Sequence, residues 1–242
     1  MADEHIVKSY DEQLNRLTTL IGRMGGLAEA QIASAIDAVV KRDTELAASV
    51  VESDQKIDNL EREIDDQAIS LLALRQPMAR DLRSVVAALR IASDVERIAD
   101  YAANVAKRAI ALSQMAPVRP IHAIPRMGRV VQQMVKDVLD AHAARDVDKA
   151  IDVWNRDEEL DDMYSSLFRE LLTYMMEDPR NITASTHLLF IAKNLERIGD
   201  HATNIAETIH FLVRGTQLRT ARPKSDATSF TIVRPENGGS GA

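Results

Sequence analysis

The sequence predicts an all-α protein built as two tandem antiparallel three-helix bundles related by internal duplication. Three observations carry this expectation. Apolar residues recur at three- and four-residue steps through most of the chain. The prolines fall between those runs and never inside one. An eleven-residue segment, ERIADYAANVA at 96–106, returns as ERIGDHATNIA at 196–206, with seven of eleven positions identical.

The elements follow in order. Leu14, Leu17, Ile21, Met24, Ala28, Ile32, Ala35 and Val39 mark a first helix. Gly25 and Gly26 inside it each cost about 1 kcal/mol relative to Ala, which points to a close helix contact or a bend. Asp43 suits the start of the second helix, whose stripe is Ile57, Leu60, Ile64, Ala68, Leu71 and Leu74. Pro77 stands before the third, which carries Ile91, Val95, Ile98, Ala102, Val105, Ala109 and Leu112. Pro117, Pro120 and Pro125 make a linker at 116–125 between a first repeat at 1–115 and a second at 126–215. The fourth helix shows Met127, Val131, Met134, Val138 and Ala141, and the fifth, starting near Asp148, shows Leu160, Met163, Leu167, Leu171 and Tyr174. Pro179 precedes a sixth through Ile191, Leu195, Ile198, Ala202, Ile205, Ile209 and Leu212. Long helices with short connections pack as antiparallel bundles. The tail at 216–242 loses periodicity and reads as disordered, with 229–233 as a short segment able to dock.

Composition narrows the function. The 242 residues are 45% hydrophobic but only 4% aromatic, which favours aliphatic helix packing. A net charge of −7 speaks against nucleic-acid binding and for a cation or a basic partner. With no cysteine, disulfides, thiolate sites and Cys nucleophiles are excluded. Residues 1–20 lack the apolar core of a secretory signal, and no run reaches the ~20 apolar residues of a membrane span. The expectation is a soluble, cytoplasmic, non-enzymatic protein. No phosphate-binding loop, nucleophile motif or dinucleotide fingerprint occurs.

Chemistry concentrates in acid-x-x-x-acid pairs. Asp54/Asp58 and Glu96/Asp100 lie in the first repeat, Asp157/Asp161 and Glu196/Asp200 in the second. A spacing of four sets two carboxylates on one helix face, one turn apart. Glu96 and Asp100 continue a face that begins with Leu82, Val85, Leu89 and Ala92, and Glu196 and Asp200 do the same after Ile182, Leu189 and Ala192. Four carboxylates on a partly desolvated patch require neutralisation. A divalent or trivalent metal ion supplies it, and Mg, Mn, Ca or Fe suits oxygen ligands, with Zn compatible outside a thiolate site. Asp54/Asp58 taken alone reads more readily as a solvated face; repetition in one frame favours metal at Glu96/Asp100 and Glu196/Asp200. Arg97 and Arg197 offer these acids plain ion pairs instead. Asn104 and Asn204 are candidate ligands or hydrogen-bond supports, and His201, replaced by Tyr101 in the first repeat, is a lone helical histidine. Glu207-x-x-His210 matches half of a di-metal carboxylate signature, but Lys107 and Ile110 occupy the equivalent places, so it reads as coincidence.

With these residues in view, the chain resembles the PhoU family over roughly 5–214. The resemblance rests on LALRQPMARDLR at 72–83, IASDVERIAD at 91–100 and IAKNLERIGDHATNIA at 191–206. It implies two three-helix bundles and metal binding at Asp54, Asp58, Glu96, Asp100, Asp157, Asp161, Glu196 and Asp200. It implies a regulator that restrains a phosphate ABC transporter through its ATPase subunit and promotes the repressing state of a sensor histidine kinase. It also implies a homodimer that meets the membrane only through partners. Ala99 stands where the family pattern has Gly, and the tail exceeds the pattern. A competing reading is a metal-free scaffold whose acidic strip docks a basic partner.

Overall fold

A computed structural model describes the backbone at residues 2–75 and 80–218, and side chains at 12–74, 81–119 and 121–218. The expectations for Pro77 and for the tail beyond 218, including 229–233, lie outside the described residues. Everything described is helix or connection: α1 (Ala2–Lys41), α2 (Thr44–Arg75), α3 (Arg80–Ser113), α4 (Ala123–Ala144), α5 (Val147–Asn155), α6 (Asp157–Glu177) and α7 (Ile182–Arg214). Helices α1–α3 form one repeat and α4–α7 the other. Each apolar stripe becomes core: Ile21, Met24, Ile57, Ile64, Ile91, Ile98, Met127, Met134 and Leu160 are all sealed from solvent. Leu74, at the end of its stripe, is exposed instead.

The expected fifth helix is two, because the chain bends at Arg156, whose amide reaches back only three residues to Val153 O. Asp157, Glu158 and Glu159 follow at once. Three acids in a row are stabilised by the positive end of a helix, so they favour a fresh start there. The bend is held by Arg156 Nη1 donating to Asp137 Oδ2 at 2.7 Å and by Trp154 Nε1 donating to Glu207 Oε1 at 3.0 Å. The linker is also tighter than the prolines suggest. After a single 3₁₀ turn at Arg119–His122, α4 begins at Ala123 and takes Pro125 into its first turn.

Duplication is legible in the turns. Arg42 (φ 56°) and Arg145 (φ 55°) both take the left-handed conformation that ends a helix. The next residue caps its successor: Asp43 Oδ1 accepts from Leu46 N at 2.9 Å and Asp146 Oδ1 from Lys149 N at 3.0 Å. The start is thus set by Asp146, not by Asp148, which lies inside α5. Arg42 uses its side chain to finish α3, donating to the carbonyls of Ser113 and Met115.

The two repeats lie side by side and share one core. Along α1 and α4 the contact is reciprocal. A Cβ on Gly25 would stand 2.6 Å from Leu139 Cδ1, and one on Gly128 would stand 2.4 Å from Ile36 Cδ1. Gly25 and Gly128 are equivalent by the duplication, as are Ile36 and Leu139 (offset 103). Gly25 therefore marks a close helix crossing, whereas Gly26 faces open space. Along α3 and α7 the equivalent residues Tyr101 and His201 meet, their rings tilted by 33° with centroids 5.7 Å apart. An approximate twofold axis passes between them.

Candidate metal centre

The acid pairs sit where α2 meets α3 and where α6 meets α7, one cluster per repeat, away from the seam. Helices α3 and α7 are each held by an apolar stripe, so their acids are carried toward the preceding helix. In the first repeat Asp54, Asp58, Glu96 and Asp100 are half-buried. Burial raises Asp54 above the usual carboxylate range, with Asp100 and Asp58 adding to it. Glu96 is pushed up to about 7, chiefly by burial and then by Asp100 and Glu61. These carboxylates therefore feel one another across the α2/α3 contact.

Glu61 belongs to this cluster, and the sequence reading passed over it. Burial raises its pKa, and Asp65 and Asp58 raise it further. The signal was available: Glu61 lies three residues after Asp58 and seven after Asp54, on the same face.

The second cluster is drier. Asp157, Asp161, Glu196 and Asp200 are all buried, and the Glu196 side chain is 4% exposed where that of Glu96 is 20%. The cause is local. A Cβ on Gly199 would lie 2.4 Å from Leu160 Cδ2 and 3.8 Å from Asp157 Oδ1, so glycine lets α6 close onto α7. Ala99 occupies that place in the first repeat. Burial, followed by Asp200, raises Glu196 to about 7 despite a 3.0 Å ion pair with Lys193. Lys193 also covers the Tyr164 ring at 4.7 Å. Tyr164 and Lys193 replace Glu61 and Ser93 of the first repeat, so one cluster carries an extra acid and the other a built-in cation.

The arginines take the plain ion-pair role in the same way twice. Arg97 Nη1 is 3.5 Å from Asp100 Oδ2 and its Nε 3.7 Å from Glu96 Oε2; Arg197 repeats this at 3.4 and 3.8 Å. Glu196 Oε2 is nevertheless buried without a hydrogen bond among the described residues. Among the described residues no three His, Asp or Glu side chains share one ion-sized space. The donor set suits a hard cation, and an ion held by several of these acids needs side-chain rotation. Asp54, Asp58, Glu96 and Asp100 would hold it in one repeat, with Asp157, Asp161, Glu196 and Asp200 in the other.

The remaining candidates serve elsewhere. His201 Nδ1 pairs with Asp94 Oδ1 at 2.8 Å across the seam, and Asn204 Nδ2 donates to the same oxygen at 3.4 Å. Glu207 accepts from Trp154, while His210 Nδ1 lies 2.9 Å from Thr216 O. Asn104 is half-buried.

The comparisons with known proteins agree with this architecture. The PhoU domain family model matches residues 21–109 and 124–209, one copy per repeat. A phosphate-specific transport system accessory protein PhoU homolog of Caulobacter vibrioides (strain NA1000 / CB15N) is 56% identical over 227 residues, covering 93% of this chain and 99% of that protein. One of Rhizobium meliloti (strain 1021) is 50% identical over 230 residues, covering 95% and 97%. The crystal structure of PhoU from Pseudomonas aeruginosa superposes with a TM-score of 0.83 at 42% identity, over 86% of this chain and 100% of that one. The phosphate transport system regulatory protein PhoU from Streptococcus pneumoniae gives 0.80 at 29%, over 87% and 100%.

Proposed function

From the premise that this chain belongs to the PhoU family, we propose that it is a non-enzymatic, metal-responsive regulator of phosphate uptake. It acts in the cytoplasm as a homodimer, restrains a phosphate ABC transporter through the ATPase subunit, and promotes the repressing state of a sensor histidine kinase. The names of its relatives, which are accessory and regulatory proteins of phosphate transport, support the transport role. The observation that carries the metal reading is the repeated acid cluster, with Glu96 and Glu196 both raised to about 7. A hard cation would supply charge that two arginines supply only in part. The protein's own residues would grip it and, by turning toward it, draw α2 onto α3 and α6 onto α7. That reshapes the outer face on which a partner docks.

A second reading has its own support. Because no three carboxylates already share an ion-sized space among the described residues, the strip also suits direct docking of a basic partner surface without metal. The two readings separate in one experiment on the full chain carrying Glu96→Gln, Asp100→Asn, Glu196→Gln and Asp200→Asn. Elemental analysis of the purified protein is paired with capture of the transporter ATPase subunit and with repression of starvation genes in phosphate-rich cells. The metal reading expects loss of bound metal, capture and repression together, and loss of capture from the parent protein on chelation. Full metal content and full repression in the variant would sink it. Capture that survives chelation but not the substitutions supports the metal-free scaffold.

A further inference from the structure

The seam between α3 and α7 opens into a cavity of about 470 Å³ that the metal reading leaves unused. This is the size of sites that take small organic molecules. Arg90 and Asp94 line it from α3, Glu207, Thr208 and Phe211 from α7. Gly215 takes the left-handed conformation (φ 75°), the chain after it is held by the His210–Thr216 contact, and Gln217 and Leu218 add to the lining.

Three features point to a ligand. The protein's bonds to the two carboxylates fall on one oxygen of each, Asp94 Oδ1 and Glu207 Oε1. Thr208 lines the cavity, and its hydroxyl, reached by solvent there, makes no hydrogen bond among the described residues. Arg90 makes no ion pair among the described residues, and its guanidinium stands 5.8 Å from the centre of the Phe211 ring.

The duplication supplies a control. At the other end of the seam, Arg90, Asp94, Glu207, Thr208 and Phe211 are matched by Phe190, Asn194, Lys107, Arg108 and Ala111. Neither acid survives there, and a guanidinium lies over a ring, Arg108 above Phe190 at 4.1 Å. The acids are thus a property of this cavity and not of the repeat. Two carboxylates against one guanidinium would repel a bare anion and attract an amine.

We propose that the seam cavity binds a small organic zwitterion, its protonated amine between Asp94 and Glu207 and its anionic group on Arg90. A ligand there touches both repeats at once and would stiffen their crossing. The proposal does not depend on metal at the acid pairs.

Trp154 is the sole tryptophan of the chain, and its indole donates to Glu207, so its emission reports on this wall. The full chain is titrated with 4-aminobutyrate, 6-aminohexanoate, 1,4-diaminobutane, butyrate and inorganic phosphate, following Trp154 emission and Tm. At least one aminoalkanoate is expected to give a saturable emission change and a higher Tm below about 10 mM. Asp94→Asn and Glu207→Gln should each weaken it at least about tenfold; the glutamine keeps an acceptor for Trp154, so reporter and fold persist. Arg90→Ala, at an exposed position, should weaken the aminoalkanoate and leave diaminobutane unchanged. The proposal is overturned if neither aminoalkanoate gives a saturable change, if butyrate or phosphate alone reproduces it, or if the change survives both carboxylate substitutions.

Discussion

At the level of single residues, the duplication offers paired positions whose differences have physical consequences. Glu196 and His142 depart from the ordinary values of their side chains in opposite directions. Burial, with Asp200 adding, raises Glu196 to about 7, so the folded protein disfavours its charge. Above pH 4.5 the unfolded chain loses that proton and the folded one keeps it until about 7. Stability therefore falls as pH rises through this window, by at most about 3 kcal/mol at 1.4 kcal/mol per unit. Glu196→Gln should raise Tm at pH 8 in chelator and leave it unchanged at pH 4.5, as followed by circular dichroism. His142, equivalent to Val39, is buried and pushed down to about 4, first by desolvation and then by Arg145. Here the unfolded chain takes up a proton below pH 6.5 while the folded one refuses it until about 4. Stability drops on acidification, again by about 3 kcal/mol. His142→Val should remove that acid-side loss, and a thermal profile that keeps falling between pH 6.5 and 4 in the variant would contradict the assignment.

At the level of helices, the stripes specified which face of each element is buried, and the Glu-Arg-Ile repeat specified that there are two sets. This is why the all-α architecture and the location of the acids were legible. Other features were not, because a stripe says that a face is buried without saying against what. Nothing in the periodicity chose α1/α4 and α3/α7 as the seam, although Gly25 and Gly128 stood at the same offset as Asp54 and Asp157. The bend at Arg156 was hidden because Val153, Leu160 and Leu167 stay in helical register across it. The difference between clusters came from one missing methyl at Gly199, where the close approach itself and not the local pattern matters. Gly199→Ala should force α6 off α7, cost about 1–3 kcal/mol and move Glu196 toward the more hydrated state of Glu96. Tm followed by circular dichroism should fall accordingly, while the Glu196 titration stays at about 7, where Glu96 beside Ala99 also lies. Gly26→Ala, in a helix with open space around it, should instead stabilise by about 0.5–1 kcal/mol.

For the whole molecule, the reciprocal glycines decide whether the repeats behave as one body or as two that rock. Gly25 meets Leu139 and Gly128 meets Ile36, so the sites lie eleven residues apart along α1, or about 16 Å at 1.5 Å per residue. Independent sites at that distance add within about 0.5 kcal/mol. Gly128→Ala should be the costlier change, about 1–3 kcal/mol. Its added carbon meets three atoms of the buried and stiff Ile36, whereas Leu139 is partly exposed and able to swing its tip. If the crossing is rigid, the double variant loses the sum of the two. If the repeats pivot about the Tyr101–His201 contact, the first methyl already opens the crossing and the second costs less than it does alone. Denaturant unfolding of the four proteins in the cycle measures this directly. The continuous core across α1/α4 and α3/α7 argues for rigidity, so additive losses and a single unfolding transition are the expected result. A rigid crossing also means that a change in one acid cluster reaches the other repeat through packed helices, without a hinge between them.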